Sequence, residues 1–236
     1  MSGHDETSTE TSNEVSTVET PHGPGRLVVT PAAEEGCRLL LSHGAGVGID
    51  TRDLEALTAA LPANGITVAR FEQPWRLAGR KVASPPPTLD DGLRAAAAAL
   101  ESSRPTGTPL VVGGRSAGAR SATRCARDLG AAGCLALAFP LHPPGRPERS
   151  RLDELTGCGV PTLVVQGERD TMGRPEEFPD ELPADVVLSV VPGADHGFAV
   201  LKRGELTQEE ALAVLVETTL EWLVRDVVGS SADGRG

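Results

Sequence analysis

The sequence predicts an α/β fold in which a mostly parallel central sheet carries helices on both faces. Three observations lead there. Strand-like and helix-like segments alternate along the chain, the pattern of strands linked by helical crossovers. The middle strand candidates, residues 66–71, 134–139 and 162–166, are largely apolar runs without strict alternation, as expected of strands buried on both faces. A short apolar run at residues 109–112 leads into Gly114-Arg115-Ser116-Ala117-Gly118 and then into a small-residue stretch of helical character, a strand–tight turn–helix junction. The 236 residues suit one domain with a core of ordinary size. Neither an internal repeat nor a second domain is visible.

Each element can be argued in order. Residues 1–13 are Ser, Thr, Glu and Asp with almost nothing apolar. They bury too little to offset their ordering entropy, so an acidic disordered tail is expected. The folded domain is expected over residues 14–228. Residues 15–20 alternate weakly and read as an edge strand. The turn cluster Pro21-His22-Gly23-Pro24-Gly25 and a strand at 26–30 complete an N-terminal hairpin. Residues 38–42 form the next strand and end at His43-Gly44. Helix signals start at Asp50, with Asp53 three residues on. Leu54, Leu57 and Leu61 share a face, and Pro62 stops that helix. After strand 66–71, Pro85-Pro86-Pro87 marks a loop and Thr88 with Asp91 resembles a helix cap. Leu89, Leu93, Ala96, Ala97 and Leu100 make the buried stripe of the helix that follows.

Beyond the Ser116 turn and its helix come strand 134–139, a short helix at 150–155, strand 162–166 and a last strand at 186–191. Thr207 and Glu210 form a capping box. The closing helix turns Leu212, Leu215, Val216, Thr219 and Leu223 inward. Residues 229–236 are expected to be a flexible tail.

Composition excludes several functions. The net charge of −11 argues against nucleic acid or an anionic membrane as a main partner. No apolar run is long enough to span a bilayer. The polar, acidic start reads neither as a secretory signal nor as a transit peptide, so a cytoplasmic protein is expected. Cys37, Cys125, Cys134 and Cys158 are widely spaced and contain no C-x-x-C pair. They read as small core residues in a reducing compartment, with no metal site and no cofactor implied.

The chemistry gathers at the carboxyl ends of strands, where open α/β sheets place their sites. Gly114-x-Ser116-x-Gly118 has the form of a nucleophile elbow. Its glycines lack a Cβ, so strand and helix approach closely. The serine hydroxyl then projects above the sheet, at the positive end of the next helix. A serine hydroxyl is a poor nucleophile at pH 7 and needs a base, which needs an orienting acid. Of five histidines, His196 alone follows an acidic post-strand loop, so it is the base candidate. Asp170 is the acid candidate, with Glu168 in the same loop as the alternative. Asp195 reads as loop-stabilising. The oxyanion hole needs two aimed backbone N–H groups, expected from Ala117 and from Ala45. The order Ser, Asp, His is that of the α/β-hydrolases.

With these residues in view, the chain resembles the small α/β-hydrolases near the dienelactone hydrolases. More closely, it is similar to the hydrolase-like family that includes testis-expressed proteins and a subunit of the NSL chromatin complex. The resemblance rests on residues 40–46 (Leu-Leu-Ser-His-Gly-Ala-Gly), 113–120, 139–145, 166–170 and 194–196, and it covers nearly the whole chain beyond the tail. It implies an α/β-hydrolase fold and a triad of Ser116, Asp170 and His196. The elbow holds serine where the dienelactone hydrolases have cysteine, so dienelactone chemistry itself is not expected.

Only about twenty residues separate Phe139 from Pro161. That leaves room for a loop and a short helix but no cap domain. A shallow, open pocket is expected, with His43, Gly44, Phe71, Trp75, Arg115 and His142 as candidate lining residues. Arg115 either favours an anionic group on the substrate or pairs with a loop carboxylate. The expected function is a serine hydrolase that cleaves a carboxylic ester or related acyl bond of a small molecule. A catalytically silent binding or scaffold protein on the same fold is the rival reading.

Overall fold

The computed structural model describes residues 13–105 and 107–229. Both expected tails therefore lie almost wholly outside the described residues. Eight strands form one sheet in the order β1-β2-β4-β3-β5-β6-β7-β8. The hairpin β1 (Glu14–Thr20) and β2 (Gly23–Thr30) joins β4 (Ile66–Glu72) antiparallel. From β4 onward every pairing is parallel: β3 (Cys37–Ser42), β5 (Leu110–Arg115), β6 (Gly133–Leu137), β7 (Thr162–Gly167) and β8 (Val186–Val191).

Strand parity sorts the core into two layers. Leu39 and Leu41 of β3 pack with Leu54 and Leu57 of α1 (Arg52–Ala60) and with Leu215 and Trp222 of α6 (Gln208–Trp222). Leu40 points the other way, among Leu93 and Ala96 of α3 (Pro86–Ser103) and Ala122 of α4 (Ala117–Cys125). Each fully buried leucine contributes about 2 kcal/mol by area removed from water. All four cysteines are buried and free, three of them in the second layer. Among the described residues no helix is long and apolar enough to cross a membrane.

Several boundaries differ from the sequence reading, among them β2, which starts at Gly23 rather than Arg26, and α5 (Leu152–Thr156), which starts at Leu152 rather than Ser150. Helix α1 begins at Arg52, after an extended Thr51, and not at Asp50. The Pro85-Pro86-Pro87 run is not all loop, because α3 starts at Pro86. Proline is well suited to a first turn, where its missing N–H would have no intrahelical acceptor. Thr88 accordingly lies inside α3, and no side chain caps that helix. Strand β6 ends at Leu137, because Ala138 turns to φ 45°. The Thr207–Glu210 capping box forms as expected, with Thr207 Oγ1 accepting from the Glu210 N–H at 3.2 Å and Glu210 Oε2 accepting from the Thr207 N–H at 2.7 Å.

Candidate active site

Strand β5 ends at Arg115, and α4 starts at Ala117. Ser116 between them takes φ 54° and ψ −110°, a sparsely populated conformation for a residue with a Cβ. Its N–H donates to the Leu137 carbonyl at 2.9 Å, which ties the elbow to β6. A Cβ on Gly114 or Gly118 would strike the Ser42 carbonyl oxygen. Glycine at both positions lets β3, the elbow and α4 close on one another. The Ala117 amide opens α4 and has no intrahelical acceptor. Gly44 approaches from the other side, where an added Cβ would lie 3.3 Å from Ser116 Cβ. Ala45 follows it in an exposed turn.

Ser116 Oγ lies 2.9 Å from His196 Nε2, and His196 Nδ1 lies 2.7 Å from Asp170 Oδ2. Asp170 is fully buried, while the His196 side chain is 25% exposed. The carboxylate accepts two further hydrogen bonds, from Gln166 Nε2 at 2.9 Å and from the Met172 N–H at 2.8 Å. Glu168, the alternative acid, points elsewhere: its Oε2 accepts from the Gly193 N–H at 2.6 Å at the surface. Asp195 stabilises its own loop, with Oδ1 accepting from the Gly197 and Ala199 N–H groups at 2.8 and 2.9 Å. The buried Phe198, at φ 54°, anchors that loop in the core.

Gln166 was not singled out in the sequence. It is fully buried at the end of β7, and its Nε2 also donates to the Gly173 and Phe139 carbonyls at 2.7 and 3.2 Å. The available signal was a polar side chain closing an otherwise apolar strand.

A model of the alpha/beta hydrolase domain family matches residues 35–224. The chain belongs to that family. Solved structures share the fold at low identity. This chain is similar to XC6422 from Xanthomonas campestris, described as an α/β serine hydrolase without a lid, at 24% identity and a TM-score of 0.69 over 90% of this chain and 95% of that one. A serine hydrolase homologue from Coxiella burnetii matches at 20% identity and a TM-score of 0.71 over 88% and 97% of the two chains. A dienelactone hydrolase from Anabaena variabilis matches at 17% and 0.71 over 92% and 98%. Among curated proteins, none matches the chain.

In this chain, the segment between β6 and β7 holds only loop and the five-residue α5 (Leu152–Thr156). The candidate lining residues separate into different roles. Phe71 is a correction: it is fully buried beneath the hairpin, among Leu27, Leu93 and Ala96. It shares the parity of Ala69, which faces α3, so its ring is core rather than pocket wall.

His142 is a second correction. It is 4% exposed, with Nε2 3.0 Å from Glu177 Oε1 and Nδ1 2.9 Å from the Pro143 carbonyl. Those contacts spend the ring on joining two loops. His43 is likewise a tie: Nε2 accepts from the Gln73 N–H at 3.0 Å, so Nδ1 carries the proton and donates to the Gly44 carbonyl at 2.9 Å. Burial lowers the His43 pKa and keeps the ring neutral. Trp75 of α2 (Pro74–Leu77) packs on it with ring centroids 5.4 Å apart. Trp75 walls a cleft of about 300 Å³, whose lining includes neither Ser116 nor His196. Arg115 and Gly197, the neighbours of those two residues, line a second cleft of about 440 Å³ with Val47 and Thr51.

Proposed function

We propose that this chain is a serine hydrolase that cleaves a carboxylic ester or related acyl bond through an acyl-enzyme. One observation carries the reading: the unbroken chain of contacts from Ser116 Oγ through the His196 ring to Asp170, at 2.9 and 2.7 Å. These are hydrogen-bonding distances for proton transfer, with base and orienting acid in sequence. Ser116 Oγ attacks the acyl carbon while His196 Nε2 takes its proton. The Nδ1–H held by Asp170 fixes the tautomer that leaves Nε2 free to do so. The tetrahedral oxyanion is held by the Ala117 and Ala45 N–H groups. His196 then returns the proton to the leaving alcohol. Water, activated by the same ring, attacks the acyl-enzyme and releases the acid.

The fold supports a small-molecule acyl substrate, since a chain without a cap domain encloses little surface. Four buried free thiols support a reducing, cytoplasmic setting. The closer likeness to testis-expressed proteins and the NSL complex subunit rests on sequence motifs alone. A serine-directed fluorophosphonate probe tests the proposal. Labelling of the folded chain that disappears in Ser116→Ala supports the enzyme. A folded chain that resists labelling contradicts it and favours a binding or scaffold role.

A further inference from the structure

The residue before the elbow serine makes contacts that the reaction above does not use. Arg115 is 8% exposed, and its Nη2 donates to the main-chain carbonyl of His196 at 2.9 Å. Its Nε lies 3.4 Å from Oδ2 of Asp53, which is fully buried in the first turn of α1. One side chain therefore spans three segments far apart in sequence: α1, the end of β5 beside Ser116, and the His196 loop. Among the described residues, Arg115 is the side chain that ties the His196 carbonyl to the strand carrying Ser116. The other bonds of that loop run within it through Asp195, toward the loop after β7 from the Arg169 N–H to the Ala194 carbonyl, and to α6 from Gln208 Nε2 to the Phe198 carbonyl at 2.8 Å.

We propose that Arg115, held by Asp53, is a positioning residue that sets the His196 ring at its distance from Ser116 Oγ. The inference rests on the serine-hydrolase reading. Two considerations support it. A buried ion pair is a poor source of stability, because desolvating two charges offsets most of their attraction, and apolar residues of similar volume do as well or better. Burial in fact pushes the Asp53 carboxyl up, and the nearby guanidinium only partly counters it. Asp53 acts as a charge at ion-pair distance with no hydrogen bond to Arg115 Nε, and the directed contact is the guanidinium Nη2–H aimed at the His196 carbonyl. The same contacts decide between the two sequence readings of Arg115. Its charge faces a carboxylate of this chain, on a helix rather than a loop, and so is not free to select an anionic substrate.

The test separates position from stability. The double variant Arg115→Met/Asp53→Leu should keep or raise the thermal midpoint. Its kcat on p-nitrophenyl acetate should fall about tenfold or more, as misplaced catalytic groups do, with KM held within about twofold. Its rate of reaction with the fluorophosphonate probe should fall in parallel. Should that variant not fold, Arg115→Lys decides, because a single ammonium cannot engage both partners; it should show the same loss in kcat at a wild-type midpoint. A folded variant with wild-type kcat overturns the inference, and so does a change confined to KM, which would mean substrate binding. A wild-type chain that the probe does not label overturns both this and the parent reading. A labelled wild-type chain with an equally reactive variant overturns this inference alone.

Discussion

Gln166 donates its side-chain N–H to Asp170 Oδ2 at 2.9 Å, from the end of the same strand that launches the Asp170 loop. The same nitrogen reaches the Phe139 and Gly173 carbonyls. One amide thereby fixes the carboxylate against two neighbouring loops.

Gln166→Leu should accordingly lower stability by about 1–3 kcal/mol, because it removes the donor to the buried Gly173 carbonyl, while the Phe139 carbonyl and Asp170 Oδ2 keep the Leu141 N–H and the His196 ring. It should also slow turnover, since Asp170 loses a restraint. Denaturant unfolding and kcat on p-nitrophenyl acetate check both effects. Wild-type values for both would mean that the amide is incidental.

Asp170→Asn should keep the fold and cut kcat by orders of magnitude, because an amide can donate to the ring and hold His196 in the wrong tautomer. Glu168→Gln should be mild, since Glu168 holds only the Gly193 turn. A reversed pair of results would make Glu168 the acid.

A pH effect is expected at Glu154, away from the site. Burial, the largest influence on its carboxyl, pushes the pKa up, but hydrogen bonds and charge from Arg120 and Arg124 more than offset this and leave it below the ordinary value. A depressed folded pKa gives stability that is present above the unfolded value and lost as pH falls through the folded one. Glu154→Gln should therefore cost about 1–2 kcal/mol at pH 7. The gap to wild type should shrink below about pH 4. A pH-independent gap would show that the loss is one of packing.

Acyl-chain length tests the absence of a cover over the site. With only α5 between β6 and β7, and with Phe71 and His142 committed elsewhere, little apolar surface can enclose a long chain. At about 25 cal/mol per Å² buried, enclosure is what would reward length. Acetate or butyrate esters should be preferred over those of ten or more carbons, with no jump in rate at a micelle threshold. A kcat/KM series that rises beyond eight carbons would contradict this.

Much of the fold was legible because buried parallel strands leave apolar runs whose ends are marked by glycine or proline. The elbow, the Asp170 loop and the His196 loop were legible because each lies at the end of such a run, in an order only a few folds use. Strand parity alone could have placed Phe71 with Ala69 in the α3 layer. The role of His142 was not readable, because its partner Glu177 lies 35 residues on, and loop-to-loop contacts leave no periodic signal. The same holds for Arg115: a carboxylate partner was one expectation, but its identity as Asp53 on α1 depends on how that helix packs.

The most direct test of the central claim is to find which residue carries the covalent adduct. After reaction with a fluorophosphonate, the folded chain should gain one phosphonyl group. Digestion should place it on the peptide of residues 116–120, which is released by cleavage after Arg115 and Arg120, and Ser116→Ala should take up none. An adduct on any other residue, undiminished labelling of Ser116→Ala, or no adduct on the folded chain would contradict the account.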